Sequence, residues 1–191
     1  MFEAFFKLGM RHITDFNGFD HMLFLAALCA TYTLARWREV VILVTAFTVG
    51  HSITLALATF DVFRLPAVWV EFLIPLTIVL TCLLNLWTLP QLYQKRGTAA
   101  LRYAGALCFG LIHGMGFSNY LRSLLQQSQS IFQPLLAFNL GLEAGQLLIV
   151  LCILIIGSIF VYWRSPRDWA ALLTGSALAP ALWMLIERIP S

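Results

Sequence analysis

The chain has 191 residues, of which 60% are hydrophobic and 11% charged, and its formal net charge is +3. A soluble domain carries about 25% charged residues, so this chain lacks the charge to cover a globular surface. A soluble enzyme, a nucleic-acid binder and a disordered chain are excluded, and a single integral membrane domain over residues 1–191 remains.

The first sixteen residues, MFEAFFKLGMRHITDF, are interrupted by Glu3, Lys7, Arg11 and Asp15, so they do not form the apolar centre of a cleavable signal. Phe2, Phe5, Phe6 and Met10 sit near helical spacing. That pattern predicts a short amphipathic helix lying on the membrane surface. A hydrocarbon core of about 30 Å needs about 20 helical residues. Six runs meet this, at about 19–36, 39–60, 67–88, 99–121, 133–162 and 168–187. The predicted fold is an all-α polytopic bundle of six transmembrane helices preceded by the interfacial helix. Pro66 and Pro134 stand near helix starts, where a missing N–H costs little. Pro75 and Pro180 stand inside spans and are expected to kink them. Cys29, Cys82, Cys108 and Cys152 fall in apolar runs without CxxC spacing and read as packing groups.

The loops sort by charge. Arg36, Arg38, Lys95, Arg96, Arg102, Arg164 and Arg167 lie on one side, and Lys7, Arg11, Arg64, Arg122 and Arg188 on the other. The richer side is cytoplasmic by the positive-inside rule, which places both termini outside a bacterial inner (cytoplasmic) membrane.

Ionisable groups inside spans are costly and mark function by default. Asp20 and His21 open the first span, with His12 just before it. His51 lies in the second span, Glu71 in the third, His113 in the fourth, and Glu143 in the fifth. With a rise of about 1.5 Å per residue, helices of alternating direction bring these groups to the same half of the bilayer. Asn139, Glu143 and Gln146 share one stripe, and Thr48, His51 and Ser52 share another. Gly110 and Gly114 bracket His113, and Gly141 and Gly145 bracket Glu143; such spacing permits close helix approach.

Asp20, Glu71 and Glu143 have no Lys or Arg at their depth. An unpaired carboxylate there costs roughly 2.5–3.5 kcal/mol, so protons, protonated histidines or a bound cation must neutralise the group. Imidazole with carboxylate suits Zn²⁺, Ni²⁺, Co²⁺ or Fe²⁺. A protonated polar network that fixes helix packing, or an organic-ligand or proton site, are the other readings.

Five segments together resemble a known family. They are His12-Ile-Thr-Asp with Gly18-Phe-Asp20-His21 and Leu23-Phe24; Thr45-Ala-Phe-Thr-Val-Gly-His51-Ser-Ile-Thr-Leu55; Val70-Glu71; Phe109-Gly-Leu-Ile-His113-Gly-Met-Gly-Phe117; and Phe138-Asn-Leu-Gly-Leu-Glu143-Ala-Gly-Gln146. They are similar, in order, to the motifs of the HupE/UreJ-type membrane proteins. The gap before the Asp-His pair is two residues longer than in an H-P-x-x-G-x-D-H pattern and lacks its Pro, as in a divergent branch. The resemblance implies a hydrogenase or urease accessory protein acting as a nickel or cobalt permease. It implies metal positions at His12, Asp20, His21, His51, Glu71, His113 and Glu143; Thr48, Asn139 and Gln146, on the polar stripes beside them, are read as supporting groups. Lipid, the metal, and either a second copy of the chain or a metalloenzyme-maturation protein are the expected partners.

A second reading is a membrane-embedded zinc hydrolase or transferase acting on a lipid or acylated protein from the outer leaflet. Three histidines would hold the metal, Glu71 or Glu143 would deprotonate its water, and Ser52 would be a nucleophile or substrate contact. The cytoplasmic half offers only Thr45, Thr77, Thr81 and Asn85 as ligands, a one-sidedness that suits the enzyme. A sensor, chaperone or structural membrane protein is the remaining class.

Overall fold

The computed structural model describes residues 1–15, 18–63, 65–91, 99–125 and 131–190. Of the charges used for orientation, Arg64, Lys95 and Arg96 lie outside the described residues, as does the side chain of Arg122. The described residues are helical, without strands. In chain order the helices are α1 (Phe2–Thr14), α2 (Asp20–Cys29), α3 (Trp37–Thr59), α4 (Ala67–Thr88), α5 (Ala99–Gly116), α6 (Ser118–Leu125), α7 (Phe132–Trp163) and α8 (Pro166–Glu187).

Among the described residues, four segments are long and apolar enough to cross a membrane: Leu34–Thr59, Ala67–Thr88, Phe132–Trp163 and Pro166–Glu187. Their outward faces carry exposed Ile42, Leu80, Leu83, Leu151, Ile155 and Ile159, which only lipid or another apolar surface accommodates. Exposed Trp87, Tyr162 and Trp163 stand at helix ends, where amphipathic rings suit a membrane–water boundary.

The expected first span over 19–36 is shorter than anticipated. α2 stops at Cys29, and a 3₁₀ turn over Leu34–Arg36 leads into α3. The expected run 99–121 is likewise divided at Phe117 into α5 and α6. Pro75 and Pro180 both sit within continuous helices.

Local signals set several ends. α3 closes on a Schellman arrangement, with Val62 N–H bonding the Leu57 carbonyl at 2.9 Å and Asp61 N–H the Ala58 carbonyl at 3.3 Å. Asp61 takes the left-handed conformation this requires, φ 63°, which Asp tolerates better than most residues. α8 opens with a reciprocal capping box between Ser165 and Asp168 and with Pro166 in its first turn.

Two glycine-lined couples form the frame. An added Cβ on Gly50 would overlap the Leu107 carbonyl, and on Gly110 and Gly114 the carbonyls of Phe47 and His51. Phe47 meets Gly110 and His51 meets Gly114, four residues further along both helices, so α3 and α5 run parallel with their backbones nearly touching. An added Cβ on Gly9 would overlap the Phe138 carbonyl, on Gly141 the Phe6 carbonyl, and on Gly145 the Ile13 side chain. α1 and α7 are the second parallel couple. The amphipathic helix therefore forms as expected, but its Gly9–Ile13 face docks on α7. Small residues remove the side chains that would hold two helices apart, and dispersion between backbones does the rest.

Gly110→Ala is expected to lower the midpoint of thermal unfolding in detergent, since overpacking a tight seam costs about 1–3 kcal/mol. Gly105→Ala, with nothing within 4 Å of the new methyl group, is expected not to lower it; equal loss in both variants would contradict the seam.

Candidate metal centre

The helix break between α1 and α2 organises the site. His12 lies in the last turn of α1, and Asp20 and His21 form the first turn of α2. The break turns the His12 and His21 rings toward each other, with centroids 4.8 Å apart. His51 of α3 stands 6.3 Å from His12 and 6.2 Å from His21. His113 of α5 stands 5.3 Å from His21. All four histidines of the chain are thus gathered in one place. One ligand atom from each of His12, His21 and His51 lies within 4.8 Å of the others.

Hydrogen bonds set which nitrogen each ring presents. Asp20 Oδ1 accepts from the His21 backbone N–H at 2.8 Å and pairs with His21 Nδ1 at 2.9 Å. A proton held on Nδ1 by the carboxylate leaves the lone pair on Nε2. The Thr77 hydroxyl donates to the Ile74 carbonyl at 2.7 Å, so toward His113 Nε2, 3.1 Å away, it can only accept. That places the His113 lone pair on Nδ1. His12 Nε2, His21 Nε2, both ring nitrogens of His51 and His113 Nδ1 are buried without a hydrogen-bond partner among the described residues.

Leaving a buried polar atom unsatisfied costs about 1–3 kcal/mol. Converging lone pairs on borderline nitrogen donors are instead what a divalent transition metal satisfies. Two nitrogens on one such ion lie at most about 4.2 Å apart, twice the metal–nitrogen distance, so small side-chain movements bring the three rings into range. Aromatic rings enclose the cluster. Phe117 lies 4.1 Å from His12, Phe24 and Phe47 each 5.2 Å from His113, and Phe138 stacks on Phe117 at 5.0 Å. A cavity of about 610 Å³ between α1 and the α5–α6 junction, lined by Arg11, Asp15 and Tyr120 among others, reaches His12 and Phe117.

Among the described residues, neither glutamate expected at the site belongs to the group of ligand atoms formed by His12, His21 and His51. Glu71 is exposed and lines a separate cavity of about 450 Å³ with Pro66, Val70, Gly116 and Ser118. The cluster is level with Thr77, six residues or roughly 9 Å further along α4. Glu143 is half-buried and accepts a hydrogen bond from Thr45 at 2.9 Å, joining α7 to α3. Thr48 bonds the fully buried Gln146 at 2.6 Å beside it. Asn139 Oδ1 is buried and has no hydrogen-bond partner among the described residues. The Ser52 hydroxyl donates to the Thr48 carbonyl at 2.7 Å, so its proton is held by its own helix.

Sequence reasoning passed over Thr77 as a partner of His113, and Phe117 as a cover on His12. Phe117 follows His113 by four residues, one helical turn, and that spacing was the available signal.

Asp20→Asn is expected to weaken divalent-metal affinity about 10–100-fold, because it removes the group that orients a ligand histidine; Glu71→Gln is expected to leave it unchanged. Isothermal titration of the purified protein in detergent distinguishes them. Metal at about 100 times its dissociation constant should stabilise the fold by about 2.7 kcal/mol, and a chelator should reverse the gain in unfolding midpoint.

Neither a curated protein nor a solved structure matches this chain. A family model, described as HupE / UreJ protein, matches residues 1–187. With that match covering nearly the whole chain, and with helices apolar enough to cross a bilayer, the protein is an integral membrane member of the HupE/UreJ family.

Proposed function

We propose that this protein carries a divalent transition metal, nickel or cobalt, across the bacterial inner membrane, with both termini outside. The observation that supports this reading is the set of unpartnered imidazole nitrogens from His12, His21, His51 and His113 around one helix break. Family membership supports it independently.

In this reading α1 and α2 together make one crossing, with α1 ending at Thr14, and α3, α4, α5, α7 and α8 make the other five. α1 runs down beside the first half of α7, and α2 continues to Ala27, whose carbonyl accepts from Asn85 Nδ2 near the far end of α4. A discontinuous helix is a recurrent way to bind ions in transporters, because the break frees backbone groups and gathers side chains at depth. The metal enters by the cavity over His12 and is held by His12, His21 and His51, with His113 adjacent. Asp20 fixes the His21 ring and supplies negative charge beside the ion. Glu71 lies in the neighbouring outer cavity and Glu143 at the α3–α7 seam.

The hydrolase reading draws on the same cavity, which is large enough for part of an acyl chain or peptide. It needs a carboxylate free to act as base on metal-bound water. Neither Glu71 nor Glu143 belongs to the ligand-atom group of His12, His21 and His51, and Asp20 is engaged by His21. This weighs toward the carrier.

Proteoliposomes should take up radioactive nickel or cobalt saturably, and His51→Ala and His113→Ala should each reduce the rate by about tenfold or more, equivalent to about 1.4 kcal/mol of barrier. Absence of uptake, together with product release from a lipid or acylated protein that Glu71→Gln abolishes, would establish the hydrolase instead.

A further inference from the structure

The cluster continues toward the cytoplasmic end of the bundle as a column of neutral polar groups. Thr77, Thr81, Asn85 and Thr88 follow i, i+4, i+8, i+11 on α4, a single stripe. The first three are buried. His113 and Arg102 lie eleven residues apart on one face of α5, roughly 16 Å along the axis. The helices are antiparallel, so Thr77 meets His113 at the outer end of the column and Asn85 and Thr88 meet Arg102 at the inner end. Between them on α5 lies the small, buried Ala106.

The inner end is occupied by a cation. Arg102 Nη1 donates to Thr31 Oγ1 at 3.0 Å and to Asn85 Oδ1 at 3.5 Å, and Nη2 donates to Thr88 Oγ1 at 3.2 Å. Its guanidinium also lies 5.8 Å from the Tyr32 ring. All of these partners are uncharged, and among the described residues Arg102 forms no ion pair. Glu39, at the same end of the bundle, is taken by Arg36. A guanidinium is always charged. Held by neutral side-chain acceptors near the ends of α2 and α4, it keeps its formal charge at the inner end of this polar stripe.

We propose that Arg102 is an electrostatic seal that closes this column to cations, so that the histidine cluster communicates with one side of the membrane until Arg102 moves. Fixed arginines exclude cations and protons from other narrow pores by the same repulsion. The inference rests on the carrier reading for the direction of traffic, and the barrier itself is measured without it.

The test uses the full chain in phosphatidylcholine proteoliposomes with an entrapped dye that Co²⁺ quenches. Arg102→Gln is expected to raise the initial rate of Co²⁺ entry about tenfold over wild type, and Arg102→Lys, which keeps the charge, to stay close to wild type. Thr31→Asp sets a carboxylate against the guanidinium without removing it, and should raise the rate as well. Size-exclusion elution identifies folded preparations. If Arg102→Gln does not fold, Thr31→Asp decides. A folded Arg102→Gln, or failing that a folded Thr31→Asp, with the wild-type rate overturns the seal. So does an Arg102→Lys rate equal to that of Arg102→Gln. Wild-type vesicles no leakier than protein-free ones would remove the carrier reading, while a raised rate in Arg102→Gln would still establish the barrier.

Discussion

The arrangement turns on nitrogen lone pairs that have been taken out of water and given no hydrogen to meet. Protein interiors pair nearly all their buried polar atoms. Here the ring nitrogens of His12, His21, His51 and His113 break that rule together, in one place. Among the described residues these are five of the nine buried atoms without a partner, and they share a cause: Asp20 and Thr77 hold two of the rings in tautomers that point lone pairs rather than protons into the cluster. A packing network would do the reverse and match donors with acceptors. The Thr45–Glu143 pair shows what such matching looks like in the same protein.

The helix break is what lets so short a chain assemble this. A continuous first helix would set His12 and His21 nine residues apart along its axis, roughly 13 Å. Interrupting the helix between Thr14 and Asp20 brings the two rings within 4.8 Å. Asp20 also offsets the positive end of the new helix, so one carboxylate serves the backbone dipole and the imidazole together. The remaining two histidines come from α3 and α5, which the glycine seam already holds in contact.

Much of this was legible in the residues. α4 was expected at 67–88 and occurs at Ala67–Thr88, because an apolar run between Pro66 and a turn leaves few alternatives. The histidines were expected to converge because helical rise alone sets their depth. The glutamates were read as ligands from composition and resemblance, yet depth does not determine which way a side chain faces. Glu71 lies about one helical turn from the start of α4 and lines another cavity. The role of α1 was hidden for a related reason. Its amphipathic pattern is the same whether the apolar face meets lipid or Gly141 and Gly145 of a partner helix.

The two glycine seams hold three of the four histidines. His12 belongs to the α1–α7 couple, while His51 and His113 belong to the α3–α5 couple. Within each couple the backbones interlock too closely to slide. Between couples, contact is made through side chains such as Phe117 on Phe138 and Thr48 on Gln146. Any shear of the bundle therefore concentrates at the boundary that the cluster straddles. An ion bridging His12 and His51 would act as a rivet between two stiff plates, and its arrival or loss would be felt along the full length of both.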